Sequence, residues 1–73
     1  MIVAPGTGVF RPGDLAVALE GALVEIGSEV GVLEGPGTRL AVRSPFRGVM
    51  VGMLALPGER LREGQPVAWL RVA

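Results

Sequence analysis

Short apolar or alternating segments fill most of the chain, and turns separate them. In Arg39-Leu40-Ala41-Val42-Arg43, the alternation places Leu40 and Val42 on one face of a strand and both arginines on the other. The same reasoning predicts five strands, over residues 23–26, 29–33, 38–43, 49–56 and 66–72. A single helix-like stretch follows Asp14, a candidate N-cap, and ends at Ala22.

Four Pro-Gly pairs punctuate these segments. Each pair lies at the centre of a four-residue unit: 4–7, 11–14, 35–38 and 56–59. Proline presets φ for the first central position of a type II turn, and glycine accepts the positive φ of the second. Many short strands between frequent turns predict an all-β sandwich or barrel, with residues 1–73 forming one domain.

The two halves of the chain resemble each other. At a constant offset of 37, the segment 21–33 lies over 58–70, and Val24, Val30 and Leu33 meet Leu61, Val67 and Leu70. Upstream, the residues 4–5 and 8–9 match 44–45 and 48–49 at an offset of 40, so a three-residue insertion falls near 11–16. Such a repeat predicts two quasi-equivalent halves that bury their apolar faces against each other.

The chain has few large apolar side chains, so the position of each one strongly affects how the core is filled. Met50, Met53 and Trp69 alternate with smaller residues in apolar strands, and we expect them in the core. If any of them were exposed, it would mark an interface.

Composition removes several classes of function. The seven basic residues are all arginine and balance seven acidic residues, so the net charge is zero and no long-range field draws the chain to nucleic acid or an anionic membrane. No segment approaches the roughly 18 apolar residues of a membrane helix, and no signal-peptide pattern opens the chain. Without cysteine there is no disulfide or zinc-thiolate site. We expect a cytoplasmic protein.

Catalytic side chains are equally scarce. Ser28 and Ser44 have no histidine or lysine to activate them, and each fits a turn. The glutamates are scattered along the chain, and the absence of histidine and cysteine makes a transition-metal site unfavourable. We therefore expect no catalytic residue, no metal ligand and no enzyme activity.

Four segments together resemble the biotinyl/lipoyl attachment domain, the family that includes the biotin carboxyl carrier proteins. They are Ala4-Pro5-Gly6-Thr7-Gly8-Val9, the run from Glu20-Gly21 to Leu33-Glu34, Ser44-Pro45-Phe46-Arg47-Gly48-Val49, and the run from Pro57-Gly58 to Gln65-Pro66-Val67. The resemblance implies a barrel-sandwich hybrid, a flattened β-barrel of two quasi-twofold-related four-stranded sheets.

The chain departs from this family at the modified hairpin. After its equivalent of Glu34, the family presents a lysine that receives biotin or lipoate through an amide bond. Here the hairpin reads Gly35-Pro36-Gly37-Thr38, and Gly37 falls at the lysine position. Because the chain contains no lysine, covalent biotin or lipoate is excluded, and we expect no cofactor.

The resemblance implies a non-catalytic, non-modified carrier-like domain, an accessory or docking subunit of a carboxylase or acyl-transfer multienzyme complex. Arg39, Arg43 and Arg47 form the candidate partner-binding patch, for an acidic partner or a CoA-like phosphate. The competing interpretation is a solvated strand face. A structural lipoyl-like module, a non-covalent small-ligand binder and self-association stay open as alternatives.

Overall fold

Eight antiparallel β-strands connected by tight turns make up the structure, a computed structural model that describes residues 1–13 and 19–72. No helix occurs in these two ranges. The strands are β1 (Ile2–Val3), β2 (Gly8–Pro12), β3 (Leu23–Val24), β4 (Glu29–Gly35), β5 (Thr38–Arg43), β6 (Gly48–Met53), β7 (Arg60–Leu61) and β8 (Pro66–Val72).

The strands form two four-stranded sheets of matching topology. Sheet A has the order β1-β8-β6-β3, and sheet B has the order β5-β4-β2-β7. Exchanging β1 with β5, β2 with β6, β3 with β7 and β4 with β8 converts one order into the other. This is the quasi-twofold relation that the repeat predicts, and the predicted all-β barrel-sandwich hybrid is confirmed.

Backbone hydrogen bonds outside the strands obey the same relation. The amide of Ala4 donates to the carbonyl oxygen of Gln65 at 2.8 Å, and the amide of Ser44 donates to that of Ser28 at 2.9 Å. The donors differ by 40 in sequence number and the acceptors by 37, which are the two offsets of the repeat. Each bond ties one half of the chain to the other, so neither half is complete alone.

The core lies between the inner faces of the two sheets and is supplied equally by both halves. Phe10 on β2 and Met50 on β6 occupy equivalent positions, and both are buried. The three apolar pairs that defined the repeat are buried as well: Val24 with Leu61, Val30 with Val67, and Leu33 with Leu70. Burying these side chains in a chain this short supplies most of the driving force for folding.

The predicted strands differ from the observed ones mainly at their ends. The bounds of β5 and β8 are as predicted, β4 continues to Gly35, and the segment expected to reach residue 56 ends at Met53. Three strands were missed: β1, β2 and β7. Of the helix-like stretch 14–22, residues 14–18 lie outside the described residues, and Leu19 accepts a turn hydrogen bond from Ala22 at 3.0 Å.

The expectation for the large apolar side chains holds in part. Met50 is buried and Met53 packs against the core. The prediction for Trp69 is wrong, because 54% of this residue is exposed. Its neighbours Ala68 and Leu70 on β8 are buried, so the alternation of the strand turns Trp69 to the outside.

Candidate functional site

The hairpin between β4 and β5 is the place where the chain departs from the family it resembles. Gly35 and Thr38 face each other as the last pair of the ladder, so Pro36 and Gly37 alone form the turn. Proline holds φ near −65°, and Gly37 has φ of +67°. This combination is the type II turn that the Pro-Gly pair predicts.

The tip of this hairpin is open. Pro36 and Gly37 are exposed, and a Cβ placed on Gly37 would have no heavy atom of the described chain within 4 Å. A side chain at this position would therefore project into solvent, as an attachment site requires. Gly37 cannot serve as one, since it offers no amine.

The base of the hairpin is held by contacts on two sides. On the outer face of sheet B, Arg11 Nε lies 2.9 Å from Glu34 Oε1, which ties β4 to β2. Glu34 is also the cross-strand partner of Arg39. On the other side, the loop between β1 and β2 comes close, because a Cβ on Gly6 would lie 2.8 Å from Leu40 Cδ2. Neighbouring elements therefore contact the base of the hairpin on both of its faces.

The three arginines of the candidate patch are not brought together. Arg43 Nη1 donates to the carbonyl oxygen of Gly27 at 2.9 Å, and Arg47 Nε lies 2.6 Å from Glu25 Oε1. Both therefore hold the turn between β3 and β4. Arg39 lies four residues nearer the hairpin tip on β5, roughly 13 Å along the strand. Their role in partner binding stays a prediction.

These arginines remain accessible despite their contacts. The side chains of Arg43 and Arg47 are 61% and 60% exposed. Exposed ion pairs contribute about 0–1 kcal/mol, because water screens the charges and the long side chains lose entropy on pairing. A partner could therefore displace these intramolecular contacts at small cost.

Both serines have structural roles in turns. The Ser44 hydroxyl donates to the carbonyl oxygen of Phe46 at 2.6 Å and accepts from the Phe46 amide at 3.2 Å. The Ser28 hydroxyl accepts from the Glu25 amide at 3.2 Å. Within residues 1–13 and 19–72, no cluster of three acidic, histidine or cysteine side chains could hold a metal ion. No helix in these ranges is long and apolar enough to cross a membrane.

The structure also shows a surface that the sequence analysis missed. Exposed apolar side chains lie on the outer face of sheet A beside Arg71, the cross-strand partner of Val49, and we call them the sheet A face: Val3, Leu23, Val49, Val51 and Trp69. A shallow depression between Glu20 and Arg71 adjoins this face. In the sequence, Val49-Met50-Val51 is a run of apolar residues, and such a run does not reveal which of its residues face solvent. In the structure Met50 is buried, and Val49 and Val51 are exposed.

Solved structures resemble the chain closely in fold. It is similar to a single-chain, multi-domain long-chain acyl-CoA carboxylase, with a TM-score of 0.75, 27% identity and 92% of this chain covered. It is also similar to the urea carboxylase of Kluyveromyces lactis, with a TM-score of 0.80, 28% identity and 97% covered. The chain spans 6% of the length of each carboxylase.

A third structure, an aspartoacylase family protein from Mesorhizobium loti, shares the fold. Its TM-score is 0.73 at 22% identity, and the match covers 94% of this chain and 21% of that protein. No protein-family model and no curated protein matches the chain.

The barrel-sandwich fold and the similarity to two carboxylases are consistent with a biotin carboxyl carrier-like domain. Each carboxylase is many times longer than this chain.

Proposed function

We propose that this chain is a non-modified carrier-like docking module that binds protein partners in a carboxylase or acyl-transfer complex. The proposal rests on the position of Gly37. It lies at the open tip of a well-formed hairpin, in a chain without lysine. An open two-residue turn thus lies where the resemblance places the modified lysine, without the amine that a carrier modifies.

The side-chain inventory favours docking over group transfer. An amide link to biotin or lipoate needs a primary amine on a side chain, and no side chain here supplies one. Both serines already make turn hydrogen bonds, and neither has a base beside it. A module with this inventory acts by binding, not by chemistry.

We expect the partner to contact the hairpin-tip surface, which we define as Pro36, Gly37, Arg39 and Leu40. Leu40 is 42% exposed on one face of the hairpin, and Arg39 is exposed on the opposite face. A two-residue turn on a paired ladder is preorganised, so little conformational entropy is lost on binding. A partner that grips the tip from both sides would offer a carboxylate to Arg39 on one face and an apolar group to Leu40 on the other.

The experiment that tests this proposal is affinity purification of the tagged chain from its host, followed by mass spectrometry. Near-stoichiometric recovery of carboxylase or acyltransferase subunits is the expected result. Recovery of the chain alone, or only of its own oligomers, would contradict the proposal.

A further inference from the structure

Strand β5 is a long, exposed edge of sheet B. The edge strands are β1 and β3 in sheet A and β5 and β7 in sheet B. Strands β1, β3 and β7 have two residues each, whereas β5 has six. An edge strand presents a row of backbone groups with which a further strand can pair. Among the described edge strands, β5 alone has the length to hold one.

Every second residue of β5 directs its backbone groups away from β4. Gly35 and Thr38 flank a two-residue turn, and such a pair exchanges both of its backbone hydrogen bonds. Beyond the other end of β5, the Ser44 amide donates to the carbonyl oxygen of Ser28, on the side of β4. The even-numbered residues from 38 to 44 therefore face β4. The odd-numbered residues between them face outward, and we call them the β5 edge: Arg39, Ala41 and Arg43.

The backbone groups of the β5 edge are open to a partner. Within residues 1–13 and 19–72, no backbone hydrogen bond outside the ladders involves Arg39, Ala41 or Arg43. Arg39 and Arg43 are exposed, and Ala41 is half-buried. Since β4 lies on the other side of the strand, these amides and carbonyl oxygens are left to water. A strand that adds to this edge would satisfy them with the geometry of the existing ladder.

The side chains of the β5 edge carry positive charge only. Arg39 and Arg43 lie on the outer face of sheet B with the small side chain of Ala41 between them, and β5 contains no acidic residue. Arg39 takes part in none of the ion pairs of the described residues. Its cross-strand partner, Glu34, is paired with Arg11 instead. The guanidinium of Arg39 is therefore available to a carboxylate from another chain.

The same charges disfavour a second copy of the chain at this edge. If two β5 strands paired antiparallel about Ala41, Arg39 of each copy would face Arg43 of the other. Like charges directly opposite each other destabilise a strand pair. Charged side chains on an edge strand oppose such self-association, and they attract a strand of the opposite charge. The β5 edge is therefore complementary to an acidic strand.

We propose that the β5 edge binds an extended acidic segment of a partner protein, which adds to sheet B as a further strand. Two carboxylates of the segment, at the same spacing as Arg39 and Arg43, face these arginines on the outer face. The side chains that alternate with them are apolar and face inward, beside Leu40, which is 42% exposed. The inference rests on the proposed docking function, because it names the chemistry of the segment that meets the hairpin-tip surface.

Titration with a synthetic peptide, followed by NMR, tests the proposal. The probe is acetylated and amidated Glu-Val-Thr-Val-Glu, whose symmetry places a glutamate at each arginine in either strand direction. We expect a Kd on the order of 1 mM, since ordering a short flexible peptide offsets much of the interaction. At roughly ten times the Kd, exchange with water should slow roughly tenfold at the amides of Arg39, Ala41 and Arg43. Attachment through the arginine side chains alone would leave these amides in rapid exchange.

Two substitutions separate the role of charge from that of backbone pairing. Arg39→Gln keeps a long polar side chain without the charge and should weaken peptide binding roughly three- to tenfold. The matched control, Arg62→Gln, lies at an exposed turn position and should bind as the wild type does. Ala41→Pro removes an outward amide that the ladder with β4 does not use, so the chain should fold and lose the peptide. The peptide Lys-Val-Thr-Val-Lys should not bind.

Several results would overturn the proposal. They are amides of the β5 edge that stay in rapid exchange at about 10 mM acidic peptide, equal binding of the lysine peptide, and an Arg39→Gln variant that binds like the wild type. Protection of the same amides that rises with protein concentration, without peptide, would assign the edge to a second copy. Subunit capture from the host is a separate measurement. A chain that captures subunits but ignores the peptide keeps the docking function and refutes this edge, and a chain that binds the peptide but captures no subunits does the reverse.

Discussion

Gly27 and Gly64 adopt the same left-handed backbone conformation, with φ of +85° at each, although 37 residues separate them. Gly27 lies in the turn between β3 and β4, and Gly64 lies in the turn between β7 and β8. A Cβ on either would have no heavy atom of the described residues within 4 Å. The two halves therefore require positive φ at equivalent turns, and at both turns there is space for a side chain.

Gly27→Ala and Gly64→Ala should consequently destabilise the protein equally. Each is expected to lower the free energy of unfolding by about 1–2 kcal/mol, because an L-residue is strained at positive φ. Urea denaturation monitored by circular dichroism measures both. Gly52→Ala is the control, since Gly52 has open space and lies outside the set of positive-φ glycines. A clear difference between the two turn variants would contradict the equivalence of the halves.

Gly31→Ala should destabilise the protein by a different mechanism. A Cβ on Gly31 would lie 2.5 Å from Phe10 Cε1 and 2.7 Å from the carbonyl oxygen of Arg11. Phe10 is fully buried and the carbonyl belongs to the neighbouring strand, so neither can move freely. We expect a loss of about 1–3 kcal/mol in the same urea experiment. A variant as stable as the wild type would show that β2 and β4 are farther apart than described.

Arg47→Ala should change stability little, despite the short distance between Arg47 Nε and Glu25 Oε1. Both side chains are more than half exposed, so the ion pair contributes less than about 1 kcal/mol and should weaken further in high salt. Urea denaturation at low and high salt measures this, with Arg62→Ala, at an exposed turn position, as the control. A salt-independent loss of several kcal/mol would contradict the assignment of Arg47 to a solvated surface.

Restoring a lysine should convert the hairpin into an acceptor. In the variant Pro36→Met, Gly37→Lys, Thr38→Met, the lysine occupies an open tip, and positive φ costs only about 1–2 kcal/mol. With biotin ligase, biotin and ATP, we expect one biotin per chain by mass spectrometry. The same variant with Gly37→Arg lacks the amine and should stay unmodified. A folded lysine variant that neither biotin ligase nor lipoate ligase modifies would show that the hairpin has diverged from a carrier.

Sequence patterns predicted the parts of the fold that depend on repetition and turns. The offsets of 37 and 40 were visible because Val30 and Val67, like Leu33 and Leu70, fill equivalent core positions. Strands β1 and β7 have only two residues each, which is too short for an alternation to appear. Strand β2 begins with glycine and ends with proline, both depleted in strands, and its tertiary pairing overrides that preference.

The candidate site was predictable only in its local part. The turn at Pro36-Gly37 follows from the φ preferences of its two residues, which neighbours do not alter. The arrangement of the arginines depends on tertiary contacts, since Arg43 and Arg47 meet a turn that lies about 20 residues earlier in the chain. Trp69 was misplaced because the run Val67-Ala68-Trp69-Leu70 is apolar throughout, so its composition does not identify the outward position.

We propose that the chain binds carboxylase or acyltransferase subunits through the hairpin-tip surface. Affinity purification with matched variants tests this proposal most directly. The wild type, Arg39→Glu and Arg62→Glu would be tagged and purified from the host, and co-purifying subunits quantified by mass spectrometry. We expect carboxylase or acyltransferase subunits in near-stoichiometric amounts with the wild type and Arg62→Glu, and at least about tenfold less with Arg39→Glu, because a like charge would face the partner's carboxylate. Absence of such subunits from the wild type, or equal recovery with all three chains, would contradict docking through this hairpin.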